Sequence, residues 1–382
     1  MDNEKYNPYD DIVYETPQAD SLSQTELVNV INTSEQNKII SGIRNAATRA
    51  ALVLLVFTFG SDLIVRGITE IYEKYGLVDD IFYVNLFYVI AYFVQYIVVV
   101  PIALIIGNFR QTHRVKTYFR KPKVSFKDFF KFTAMTYAIG TTVNLITALV
   151  YIASYNLGHQ NTDLNEEIVS QMTFSPVVSM AIMIASVILA PLFEELVFRG
   201  SLQTHLKNYG AAFAIVTTGI VFGLVHGNFH QIPYAMTFGF CLGYIAYKTK
   251  SIIPSIMVHF FINGFSMLML YANSQLDIVK LEEMMNNQDL DGIVKVLGEN
   301  PLILIIFLLC EITAVVVFTI GMVNFILTLK NDKKSFNVPK GTTAISEKKK
   351  YLTYFTSPLM LLVIAYLLYK AIMYEIPIPP SK

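Results

Sequence analysis

The sequence predicts an all-α, polytopic transmembrane helix bundle. Three observations predict it: 54% of the 382 residues are hydrophobic against 15% charged, mean hydropathy is +0.48, and apolar runs of about 17–25 residues, the length that crosses ~30 Å of hydrocarbon, recur about nine times. A soluble core needs far fewer apolar residues. Formal net charge is zero, and no basic footprint for nucleic acid is present; the partner that composition itself implies is the lipid bilayer. Cys241 and Cys310 both lie in apolar runs without a CxxC or His-Cys cluster, which points to buried, inert thiols rather than a disulfide framework or thiolate zinc site.

The expected spans are 47–68, 82–107, 129–154, 176–199, 211–228, 231–248, 252–272, 301–329 and 351–373. Ahead of them, residues 1–46 read as a cytosolic acidic tail, without the basic start and short apolar stretch of a cleavable signal, that ends in an interfacial helix at Asn37–Arg49. The loop between spans two and three carries Arg110, Arg114, Lys116, Arg120, Lys121, Lys123 and Lys127, and the 330–350 connection carries Lys330, Lys333, Lys334, Lys340, Lys348, Lys349 and Lys350. Excess Lys and Arg marks the cytoplasmic side. The loop near 69–81 has Lys74 as its one basic residue and that near 155–175 has Asp163, Glu166 and Glu167 with no Lys or Arg, so both belong outside. The alternation fits a multi-pass cell-membrane protein with a cytoplasmic N-terminus. The chain then divides into N-terminal transmembrane helices (47–154), a central unit (176–272), an extracytoplasmic loop rich in acid (273–300) and C-terminal transmembrane helices (301–382). Tyrosine, abundant where Trp is absent, supplies the interfacial aromatic belt.

Charged residues inside the spans point to chemistry. A charge at the centre of a membrane helix costs roughly 2.5–3.5 kcal/mol on insertion scales, and Leu192-Phe193-Glu194-Glu195-Leu196-Val197-Phe198-Arg199 sets three at the end of one apolar run. Residues four apart share a helix face and sequence neighbours diverge by about 100°. Glu195 and Arg199 are therefore expected to pair, leaving Glu194 to titrate or polarise a water. Alone, the same EExxxR also fits a charge network that ends a helix at the interface.

Further on, Phe222 and His226 stand four apart, and so do His259 and Asn263 in span seven. His226 could share a water with Glu194, or be a satisfied structural histidine. His259 and Asn263 could donate to an oxyanion, where one such donor is typically worth about 2.7–4 kcal/mol, or could glue helices together. Gly223 and Gly227 leave room for close backbone approach, by a neighbouring helix or a substrate strand. What favours chemistry is convergence: three consecutive polar motifs in otherwise apolar segments within about 70 residues. Asp62 and Arg66, four apart in span one, read as a structural pair; Gln95, Asn144 and His230 as interhelical or interface groups; Glu311 as a packing contact or second functional residue.

These motifs, EExxxR at Glu194, Glu195 and Arg199, FxxxH at Phe222 and His226, and HxxxN at His259 and Asn263, resemble those of the CPBP intramembrane proteases, which include the CAAX prenyl endopeptidases and the bacteriocin-processing or Abi-type proteins. The resemblance covers about 176–272. It implies a protease core with a conical intramembrane cavity, in which Glu194 and His226 activate a water for attack on a peptide carbonyl and His259 and Asn263 stabilise the oxyanion. Glu195, Arg199 and Phe222 would support them. The implied substrate is a membrane-associated or lipidated peptide, as in CAAX-type processing or bacteriocin maturation. A zinc site on Glu194, His226 and His259 is an alternative, but without an HExxH helix the expectation is no metal and no cofactor. A non-catalytic membrane scaffold or bacteriocin-immunity protein is the competing function. Depth poses a question: were span four to end at Arg199 and span five to begin at Ala211, His226 would lie about 22 Å along it, away from Glu194. Span four is therefore expected to run on through Thr204-His205-Leu206.

Overall fold

The computed structural model describes residues 24–77, 80–109, 118–156, 175–276, 281, 284–339, 341 and 344–375. Expectations for residues 1–23, for 110–117 of the basic loop, for the 157–174 loop and for Lys340 lie outside them. The described residues form helices joined by turns and short irregular connections, without strands. In chain order they form α1 (Gln24–Leu55, continued through a π turn at Val56–Gly60 into Ser61–Lys74), α2 (Ile81–Val94, a π turn at Gln95–Val99, then Val100–Asn108) and α3 (Phe126–Asn156). Then come α4 (Pro176–Tyr209), α5 (Ala211–Leu224), α6 (Ile232–Thr249) and α7 (Ile253–Gln275). A short α8 (Leu290–Glu299) precedes α9 (Pro301–Asn331), and α10 (Glu347–Phe355) and α11 (Pro358–Tyr374) end the bundle.

Six of these helices, α1, α2, α3, α4, α7 and α9, are long and apolar enough to cross a membrane, and α10 with α11, bent by 72°, would make a seventh if the pair is one broken span. This is an integral multi-pass architecture. The nine expected spans are compatible with it, the difference lying in α5 and α6. At 14 residues α5 is about 21 Å long, short of a ~30 Å hydrocarbon core, and α5 and α6 pack on each other at the centre of the bundle. Their contact rests on glycine. A Cβ on Gly223 would stand 2.7 Å from Met236 Cβ and 2.9 Å from the Ile232 carbonyl oxygen, so of the two uses open to Gly223 the close approach is to a neighbouring helix. Gly227 instead turns the chain, at φ 68°. Gly223→Val is expected to force α5 off α6 and lower stability by about 1–3 kcal/mol, read as a drop in the unfolding temperature in detergent; an unchanged temperature would show that the contact yields freely.

The segment expected to be an interfacial helix is part of α1. Ile43 and Ala47 are wholly buried, and the expected boundary at 46 falls inside one continuous helix packed on α2, α10 and α11. Asp62 also departs from expectation. Its carboxylate accepts from Lys370 Nζ at 2.7 Å and from Tyr366 Oη at 2.7 Å on α11, a pairing across 308 positions that local spacing to Arg66 does not reveal. Gln95 does tie helices together: its amide donates to the Phe57 carbonyl (3.1 Å) and its side-chain oxygen accepts from Ser61, joining the π turns of α1 and α2. Cys310 is buried, Cys241 half-buried, and both are free thiols.

Candidate active site

Three helices bring the polar motifs together, and α4 sets their level. It does not stop at Arg199 but continues through Thr204-His205-Leu206 to Tyr209, where Gly210 at φ 131° reverses the chain into α5. Glu194 and His226 stand sixteen residues before and after Gly210, and the continuation of α4 to Tyr209 lengthens the arm that carries Glu194 beyond what a helix ending at Arg199 would give.

Glu195 is the sealed member of the acidic pair. It is 0% exposed, with its Oε1 2.9 Å from Arg199 Nη1 and 3.2 Å from His259 Nδ1. The Arg199 contact is an ion pair without good hydrogen-bond alignment. Its other terminal nitrogen, Nη2, donates to the Gly239 carbonyl at 2.9 Å, and the guanidinium lies 4.6 Å from the centre of the Phe222 ring. Phe222, 0% exposed, thus holds its place as the aromatic face on which the cation rests. Glu194 points elsewhere, as neighbours on a helix must. It is half-buried, lies in the field of His259, Glu195, Arg199 and Tyr96, and makes no hydrogen bond or ion pair among the described residues.

Both histidines are oriented by their Nδ1 atoms. His226 Nδ1 is 2.8 Å from the Phe222 carbonyl, and because a carbonyl can only accept, Nδ1 carries the hydrogen and the neutral ring keeps Nε2 as an acceptor. His259, 3% exposed, directs Nδ1–H at Glu195 in the same way and packs its ring against Phe238 and Phe222 at 5.0 and 6.1 Å.

Asn263 has a fixed backbone partner. Its amide donates to the Ser186 carbonyl at 3.0 Å, and α4 explains why that oxygen is vacant. In the π turn at Ala185–Leu189 the Ala190 N–H bonds the Ala185 carbonyl, and the next residue, Pro191, has no N–H to give. Neither the α nor the π register reaches Ser186. Asn263 fills the gap and keeps one amide hydrogen for another acceptor. Sequence reasoning missed Ser186 and Pro191, although a proline in mid-span was a signal that a carbonyl would need a partner from another helix. It also missed Gly239 and Gln203: Gln203 Nε2 donates to the Gly243 carbonyl at 2.9 Å, so Arg199 and Gln203, four apart, meet Gly239 and Gly243, four apart.

Among the described residues no three His, Cys, Asp or Glu side chains stand where they could share a metal ion. Glu194, His226 and His259 therefore do not fit a zinc site as they stand in this structure.

Fold and site together define an integral, multi-pass membrane protein that keeps a Glu-His-Arg-Asn cluster inside a helix bundle. Residues 176–265, about a quarter of the chain, match the family model described as type II CAAX prenyl endopeptidase Rce1-like. This stretch is thus similar to the CPBP/CAAX protease family, and Glu194, Glu195, Arg199, Phe222, His226, His259 and Asn263 all fall within it. No curated protein and no solved structure matches the chain.

Proposed function

We propose that the protein is an intramembrane endopeptidase in which Glu194 and His226 activate a water to hydrolyse a peptide bond in a membrane-associated or lipidated peptide. The observation that carries this reading is the asymmetry of the two adjacent glutamates. Glu195 is sealed and held by Arg199 and His259, whereas Glu194 is half-buried and makes no hydrogen bond or ion pair among the described residues.

Glu194 takes one proton from the water as its oxygen bonds to the peptide carbonyl carbon, and His226 Nε2 accepts the water's other hydrogen to orient it. Negative charge then builds on the carbonyl oxygen. His259, in its protonated form with Nδ1–H held by Glu195, donates from Nε2, and Asn263 donates its second amide hydrogen. Collapse of the tetrahedral intermediate breaks the C–N bond, and the proton on Glu194 passes to the leaving amine. Arg199 and Glu195 position His259 and do not touch substrate. In this reading 176–272 is the protease core, 47–154 and 301–382 flank it, and the basic loops support a cell-membrane protein with a cytoplasmic N-terminus, its cavity opening to the cytosol or sideways to lipid.

His226→Ala tests it. Loss of the Nε2 acceptor is expected to lower kcat by roughly 10²–10⁴-fold, measured with the purified protein in detergent on a quenched fluorescent membrane peptide, while the unfolding temperature stays near wild type. Wild-type turnover in that variant rejects the mechanism.

A further inference from the structure

On the far side of α7 from the polar cluster lies a cleft of about 450 Å³ between α3, α7 and α9. Helix geometry separates the two sites: His259 and Asn263 face the cluster, while Phe261 and Phe265, two residues further along, turn about 200° away and line the cleft. The walls are apolar, Tyr137 and Val317 among them, and Lys127 and Lys131 stand together at one end, four apart on one face of α3. No carboxylate lines it. Asp128, beside Lys127 in sequence, accepts from Ser125 at 2.6 Å, and neither lysine makes an ion pair among the described residues. Glu311, whose charge is felt at Tyr137, belongs to the opposite end, about 15 Å along α3 from Lys127.

An oily slot capped by two uncompensated cations matches an amphiphile with one apolar tail and an anionic head. We infer that the cleft holds one anionic phospholipid, an acyl chain lying between α3, α7 and α9 and its phosphate on Lys127 and Lys131. Basic pockets between membrane helices recognise phospholipid head groups in this way. A lipid tail carried by a peptide substrate fits less well, since α7 would stand between that tail and Glu194. The inference is independent of peptide hydrolysis.

Retention of added lipid by the purified full chain in detergent, read by native mass spectrometry, tests it. Wild type is expected to retain one phosphatidylglycerol in preference to a phosphatidylcholine with the same chains. The Lys127→Ala, Lys131→Ala double variant is expected to bind it roughly 30-fold more weakly, from about 1 kcal/mol per lysine. Val317→Phe, which fills the slot and leaves both lysines, should lose the lipid too, whereas Lys333→Ala with Lys334→Ala should keep it. Equal retention of the two lipids, unaltered retention in the Lys127/Lys131 or Val317 variants, equal loss in the Lys333/Lys334 control, displacement by inorganic phosphate alone, or one-for-one displacement by a lipidated peptide would each overturn the assignment.

Discussion

Glu194→Gln is expected to leave the protein folded and to abolish most peptide hydrolysis, with kcat lower by roughly 10²–10⁴-fold. Glutamine keeps the shape of the side chain and removes the base. No hydrogen bond or ion pair is lost among the described residues, since Glu194 makes none there. The unfolding temperature and KM should therefore move little while kcat falls, a split that separates a catalytic role from a structural one. The variant should also retain the uncut peptide, and mass spectrometry of what co-purifies with it would name the substrate. Undiminished turnover would remove Glu194 from the chemistry, and a protein whose natural task survives intact in the variant would be a binding scaffold.

Arg199→Ala is expected to do the opposite, damaging stability first and activity as a consequence. It strips Glu195 of its ion pair at a position with no solvent to take over, leaves the Gly239 carbonyl without its donor, and empties the space over the Phe222 ring. Removing one partner of a buried pair typically costs about 3–5 kcal/mol, and replacing both with apolar residues of similar volume costs far less. The single variant should therefore unfold at much lower temperature or denaturant than wild type, and Glu195→Leu combined with Arg199→Met should recover part of that loss without recovering hydrolysis. A change within about 0.5 kcal/mol in the single variant would mean that Glu195 does not depend on Arg199.

Local spacing made half of this cluster readable in the sequence. Apolar run length gave the membrane helices, and the four-residue repeat gave the Glu195–Arg199 pair and the divergence of Glu194 from it. Contacts between helices were not encoded at that range. Nothing near His259 announces Glu195, 64 positions away, and nothing near Asp62 announces Lys370. The fifth and sixth runs illustrate a second limit: composition registers that a segment is apolar, but a helix buried among other helices is as oily as one facing lipid. Asn263 shows a third. Its spacing from His259 suggested a free oxyanion donor, but half its donor capacity goes to an acceptor that exists because Pro191 cannot complete the helix ladder.

The matched arms on either side of Gly210 constrain how this protein can change. Substitutions along α4 and α5 alter side chains one at a time, but a single residue inserted into one arm would rotate everything beyond it by about 100° and shift it by about 1.5 Å, turning Glu194 or His226 away from its present neighbours. The spacing between these residues is thus a firmer constraint on the chain than the identity of most residues that fill it.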